Sequence, residues 1–300
     1  MQKIPKQEYT RAAHRVPVAG HVEVRSVSIS GYPAWRAGGT PNSRHLNDAQ
    51  AAALMKAIHA QVKGAYGSRR VHRELKEQGY CIGLSRVERL MRDNGIRAQH
   101  KRRYKATTNS RHSMPVADNL LARKFKPEAP NQAWSGDITY IATDEGWLYL
   151  AVVLDLFNRE IIGWSIKPRM TAKIVTEAQV MAWFRRKPDA GVIFYSDRGS
   201  QYASHAMKDK LLELGLIASM SRKANCWDNA PTESLFNSLK NERVYGSRYA
   251  TRAEAESDLF QYIEIFYNWR RRHSTLGYCS PTQFLQDWIS KHGDQQPKAA

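Results

Sequence analysis

The chain has 300 residues, room for two or three domains with one core of ordinary size, and its 46 Lys and Arg against 28 Asp and Glu leave a formal charge of +18. That excess favours a polyanionic partner, while three cysteines standing far apart, Cys81, Cys226 and Cys279, exclude a disulfide framework and a Cys-rich zinc site. No apolar run approaches the ~18–20 residues that span a bilayer and no signal-peptide stretch opens the chain, so a soluble intracellular protein with no membrane partner is expected.

The first thirty residues show no sustained helical or strand period, and 1–43 are expected to be poorly ordered. From Asn47, a fitting N-cap, Ala51, Leu54, Ile58 and Val62 follow a helical period. A second helix is expected from Ser68 through Val71 and Leu75 to a C-capping Gly79, and a third from Ser85, whose SRVE reads as a capping box with Glu88, to Gly95. Three short helices with tight turns over 44–98 predict a small all-α helix-turn-helix domain. On the third, Val87, Leu90 and Met91 can pack inward while Arg86, Arg89 and Arg92 project along another face, as a groove-reading helix requires; a solvated basic helix fits the same pattern. Residues 99–130 follow as a basic linker. Between Arg97 and Lys126 nine Lys and Arg accompany one acid, Asp118, with Lys101, Arg102 and Arg103 at the head of the run. Such runs are usually solvated, and beside a nucleic-acid enzyme this one is expected to track phosphates and order on DNA.

A third region, 131–290, begins near Asn131. Ile138–Ala142, Trp147–Leu154 and Glu160–Ser165 read as three strands joined by short turns, and the unbroken apolar run LYLAVVL marks the middle one as covered on both faces. A helix from Thr171, a strand Val192–Tyr195, a helix from Ser204 and a short strand Leu216–Ser219 follow. Three antiparallel strands and then alternating helix and strand give an α/β fold, a ribonuclease-H-like core of five mixed strands with helices, which sets strand one beside strand four. CWDNAP then announces a helix, with Asp228 or Asn229 as cap and Pro231 in its first turn. TRAE, Thr251 to Glu254, opens another with Leu259, Tyr262, Ile263 and Phe266 inward. Residues 291–300 read as a disordered tail.

Within this frame three acids stand at strand and helix ends: Asp137, Asp197 and, with 35 residues between it and Asp197, Glu233. Strand order makes the two aspartates neighbours. Carboxylates brought together repel unless a cation neutralises them, and oxygen-only ligands select Mg²⁺ or Mn²⁺. Two such ions about 3.5–4 Å apart suit an in-line phosphoryl transfer. Glu233, Asn237 and Lys240 share one helical face, so metal ligand, polar contact and phosphate clamp can stand together; an ordinary amphipathic helix is the plainer reading of that segment alone. Asp155 also ends a strand, but the tight connection after it makes it a turn-former.

The segments SGYPAWR, AYGSRRVHREL, TDEGWLYLAVVLDLFNREIIGW, SDRGSQY, SMSRKANCWDNAPTES, LKNERV and RRRHSTLGYCSPTQF carry a resemblance from about Ser30 to Ser290. The chain resembles the catalytic (OrfB-type) transposases of the IS-three family of bacterial insertion sequences, which belong to the DDE superfamily and share an integrase core. The resemblance implies cleavage of DNA at element ends and 3′-hydroxyl strand transfer, with Asp137, Asp197 and Glu233 as catalytic, metal-ligating residues and two ions per site. It also implies a kept basic position at Lys240 and DNA or subunit contacts for Arg270, Arg271 and Arg272. The partners would be double-stranded DNA, both element ends and target, further copies of the chain, and an upstream helix-turn-helix and zipper protein of the same element, in a bacterial cytoplasm on the nucleoid. Met1 to Thr10 resembles the start of that upstream protein, whose modules do not follow, so a truncated or rearranged fusion with weak, poorly selective DNA binding is expected. Tyr195 stands where the family often has His, and Ala224 where Gly is common in SRKGN. Two readings stand against the resemblance: a ribonuclease H or junction-resolving nuclease, for which the helix-turn-helix and basic linker are foreign, and a non-catalytic derivative that competes for ends or represses.

Overall fold

The structure, a computed structural model, describes residues 47–99, 116–121, 125–222 and 230–292. The expectations for residues 1–46, for Lys101, Arg102 and Arg103, for Ala224, for the cap at 228–229 and for the tail from 293 lie outside the described residues. The chain divides into two compact units. One comprises the described residues up to Ile58 together with Val71–Ile96; the other comprises His59–Arg70 and everything from Arg97 onward. The division therefore falls inside 44–98 and assigns the first interhelical turn to the larger unit.

The smaller unit holds most of α1 (Asp48–Gln61) and α2 (Ser68–Glu77), and all of α3 (Leu84–Asp93). Asn47 caps α1 reciprocally: its carboxamide oxygen accepts from the Gln50 N–H at 2.8 Å, and the Gln50 side chain accepts from the Asn47 N–H at 3.1 Å. Gly79 and Gly95 take the left-handed conformation that ends a helix, with φ of +83° and +66°. The expected capping box on α3 does not form. The helix starts one residue earlier, at Leu84, with Gly83 as an N-cap that offers no side chain.

The larger unit is built on a five-stranded sheet in the order β3-β2-β1-β4-β5. Its strands are β1 (Ala133–Thr143), β2 (Gly146–Asp155), β3 (Ile161–Lys167), β4 (Ile193–Ser196) and β5 (Ile217–Met220). β1, β2 and β3 are antiparallel neighbours, whereas β4 lies parallel to β1 and β5 parallel to β4. This is the ribonuclease-H-like order, and it forms because the short turns at 144–145 and 156–160 force the first three strands into a meander. The remaining strands arrive by the crossover helices α4 (Ala172–Arg186) and α5 (His205–Glu213).

Both faces of the sheet are covered. Leu148, Leu150, Val152 and Leu154 of β2 point into one cluster with Leu235, Leu239, Leu259 and Ile263, while Ala151 and Val153 point into the other with Ile174, Ala178, Met207 and Leu211. Close packing on the second face needs Gly163, where a Cβ would run into the Ala178 carbonyl. The first face is covered by α6 (Ala230–Leu239) and α7 (Arg252–Phe260), while α8 (Pro281–His292) packs Phe284 and Trp288 on Phe157 of the β2–β3 turn. α6 and α7 do not simply end: wider π turns prolong them over Lys240–Val244 and Gln261–Tyr267. Thr251 caps α7 by accepting from the Glu254 N–H at 3.1 Å. The edge strand β3 is pinned by Asn268, whose side chain accepts from the Ile161 N–H and donates to its carbonyl, both at 3.0 Å. At the opposite edge the Ser219 hydroxyl accepts from the Leu120 and Leu121 N–H groups at 2.9 and 3.3 Å, so the described end of the basic linker is already seated on β5.

Candidate active site

The site is organised by the short parallel ladder between β1 and β4. Ala133 pairs with Ile193, Trp134 with Phe194 and Ser135 with Tyr195. Two residues beyond that last pair stand Asp137, inside β1, and Asp197, just past the end of β4. The sequence suggested that Asp137 opens its strand, but it lies inside β1, because Ser135 and Gly136 also pair, with Leu154 and Val153 of β2. Gly136 is required here, since a Cβ would collide with the Phe194 ring.

Backbone N–H groups orient both carboxylates. Asp137 Oδ1 accepts from the Ile138 N–H at 2.7 Å, and Asp197 Oδ1 from the Gly199 N–H at 2.9 Å. The two acids converge on Tyr202, a buried residue of the SDRGSQY segment: burial first, then the charges of Asp137 and Asp197, pushes its hydroxyl well above the ordinary tyrosine range. α6 is tied to β1 by the buried pair Ser135 Oγ and Thr232 Oγ1, 2.6 Å apart. Glu233 is the residue after Thr232 on that helix. Glu233 is exposed, yet partial loss of solvent lifts its carboxyl above the usual value. Among the described residues no group of three or more His, Cys, Asp or Glu is close enough to hold a metal ion. The pair of aspartates is brought together, and Glu233 is not part of a ready-made cluster.

Lys240, expected as a phosphate clamp, is a buried residue. It is 5% exposed, with its ammonium 4.5 Å from the centre of the Tyr140 ring. Burial lowers its pKa, and the charge of Asp137 opposes that shift. Asn237 accepts from the Asn241 side chain at 2.7 Å.

The arginines fall into distinct environments. Arg271 is buried, so it is an internal ion pair rather than a surface contact: it donates from Nε and Nη2 to the two oxygens of Glu242 at 2.7 and 2.6 Å. Arg70 reaches the same carboxylate at 3.1 Å and the Tyr262 hydroxyl donates to it at 2.8 Å. Arg270 is exposed, and Arg272 donates to the Tyr278 carbonyl at 3.2 Å. In the smaller unit Arg86 and Arg89 both grip Asp48, at 2.7 and 2.8 Å, while Arg92 is exposed. The decoy Asp155 forms its turn, accepting from the Phe157 N–H at 2.9 Å and the Asn131 N–H at 3.2 Å. Sequence reasoning passed over Tyr202, the Ser135–Thr232 contact and the Glu242 cluster. Tyr202 had a signal in its place five residues after Asp197, but the others join residues too distant in the chain to show a pattern.

Family models match the chain in three places: an HTH-like domain at residues 45–104 and an integrase core domain at 127–226 and again at 233–287. The insertion element IS600 31 kDa protein of Shigella sonnei is 44% identical over 266 residues, 89% of this chain and 97% of that protein. The transposase InsF of insertion sequence IS3A of Escherichia coli is 45% identical over 231 residues, 77% of this chain and 80% of its own. The chain belongs to the IS3 family of insertion-sequence transposases. The catalytic core domain of BIV integrase is 18% identical over 55% of the chain and 99% of that domain, with a TM-score of 0.39. The fold of this transposase rests instead on its strand order, and its integrase core spans both aspartates and the helix bearing Glu233.

Proposed function

We propose that this transposase cuts DNA at the ends of its element and joins the freed 3′-hydroxyl to another strand, with Asp137, Asp197 and Glu233 as the catalytic acids. The observation that carries the reading is the placement of Asp137 on β1 and of Asp197 just past the end of its parallel neighbour β4, with the charges of both bearing on Tyr202 and that of the first on Lys240.

The donor chemistry fits a hard divalent cation: two carboxylates, oxygen only, each oriented by a backbone N–H. Mg²⁺ or Mn²⁺ held there, two ions with Glu233 contributing, would polarise the scissile phosphate and lower the pKa of the attacking hydroxyl. The chain's own residues prepare the place. The Ser135–Thr232 contact holds Glu233 near the strand that bears Asp137, the packed Phe194 and Tyr202 rings keep water from behind the aspartates, and Lys240 offsets the charge of Asp137. DNA is the natural ligand of a +18 chain with an HTH-like domain, and further copies of the chain would bring two element ends together. The test is incubation of supercoiled plasmid bearing candidate ends with protein and Mg²⁺, alongside Asp137→Asn, Asp197→Asn and Glu233→Gln. Nicking and joining by the parent alone supports the reading, and joining that survives in any variant removes that acid from the set.

A further inference from the structure

Away from the β1–β4 ladder, a strip of side chains runs along the β1–β2 hairpin to the surface, on the sheet face opposite Asp137. Tyr140 and Ala142 of β1 pair with Tyr149 and Trp147 of β2, so all four lie on one face. The Lys240 ammonium, which feels the charge of Asp137, lies 4.5 Å from the Tyr140 ring centre, and Tyr140 meets Trp147 edge-on at 5.0 Å and 90°. The strip ends at Trp147, which is 52% exposed.

An exposed indole alone is unremarkable, but this one is braced and flanked by cations. Thr143 Oγ1 donates to the Gly146 carbonyl at 2.7 Å, Arg248 holds Asp144 at 3.1 Å, and the Arg252 N–H donates to Glu145 at 2.8 Å while its Nε reaches the Trp147 carbonyl at 3.3 Å. A braced hairpin thus presents a half-bare aromatic face near Arg248 and Arg252. Aromatic surface interleaved with positive charge is the chemistry that takes a base on its face and a phosphate at its side. A paired base already stacks on its neighbours and has no face to offer, so such a platform selects an unpaired one.

Resting on the DNA strand-transfer reading above, we infer that Trp147, supported by Tyr140, is a stacking platform for an unpaired nucleobase of the DNA that the chain handles. The platform is a binding element and takes no part in the chemistry. Its test uses the full chain in chelator, so that binding is read without cleavage. The probes are a duplex with a short unpaired tail carrying 2-aminopurine and a blunt duplex of the same sequence. The parent should bind the tailed probe about 10-fold more tightly than the blunt one, the scale expected for one stacked base, and quench its fluorescence. Trp147→Leu, which keeps apolar bulk without an aromatic face, should lose both effects, while Trp147→Phe keeps most of them. The dependence on salt should be the same for all three proteins, because no phosphate contact is removed. Equal affinity of the parent and Trp147→Leu for the tailed probe, or an unquenched tail on the parent, would overturn the proposal. Because the readout is binding, the platform can fail while acid-dependent joining survives, and joining can fail while the platform stands.

Discussion

Two carboxylate sites lie at the two ends of one short segment, and they are built to opposite ends. At Lys240 the chain feels the charge of Asp137 on β1, and Asp197 follows the end of the neighbouring strand β4. Two residues on, Glu242 lies in a closed ring of Arg271, Arg70 and Tyr262, and that ring holds its carboxyl below the usual range against the cost of burial. A buried carboxylate satisfied from within serves the fold. Asp137 and Asp197, whose charges both bear on Tyr202, accept instead from backbone N–H groups of their own loops and strands.

The contrast breaks first at the acids, where the largest effect is expected. Asp137→Asn and Asp197→Asn should each lower joining by at least about 10³-fold, the scale of losing an electrostatic contact to the transition state, while thermal stability holds or rises because repulsion is relieved. A parallel fall in melting temperature would show that these aspartates are structural after all. Glu242→Ala should do the reverse and cost about 3–5 kcal/mol in denaturant unfolding, since it strands Arg271 without its partner. A variant as stable as the parent would mean that the ring is not a tie.

Titration should sharpen the same contrast at smaller amplitude. Burial, opposed by Arg186, lifts the Asp155 carboxyl to about 6, so its protonated form is favoured in the fold. That contribution to stability is complete below about 4 and is lost as pH rises through 6. His273 runs the other way: burial, aided by Arg271, lowers it to about 3, so its contribution is present above about 6.5 and is lost as pH falls toward 3. Between about 4 and 6 the two oppose each other. Asp155→Asn should therefore steepen the gain of stability with rising pH across that window, and an unchanged profile from chemical denaturation would contradict the assigned shift. The smallest effect belongs to the other unit. Asp48→Asn should release Arg86 and Arg89 and raise the salt slope of DNA binding by up to about one for each arginine that then meets a phosphate, as mobility shifts at several ionic strengths would show.

How much of this was legible depended on range along the chain. Strand order and the convergence of Asp137 on Asp197 could be read because each strand is a local apolar run and short turns leave one topology. Asn47 and Thr251 were legible as caps because a cap is spelled within four residues. The Glu242 ring was not, since Arg70 stands 172 positions away and Arg271 stands 29 away, and no local pattern distinguishes a paired arginine from one that waits for a phosphate. Lys240 misled for a related reason: helical phase gives the direction of a side chain, while its burial is decided by Tyr140 on another element. The capping box of α3 was spelled correctly but went unused, because the helix began one residue too soon.

The π turn at Lys240–Val244 has a mechanical side. An α-helix advances about 100° with each residue, and a π turn takes one more residue than an α turn to close. The surplus residue works as a gear tooth. Remove one residue from 240–244 and all that follows would slip by about 100°, so that the face now gripping Arg271 would be carried away from it while Glu233, upstream of the slip, stayed where it is. The length of that turn thus fixes the phase between the part of the helix that carries Glu233 and the part that is bolted to the core.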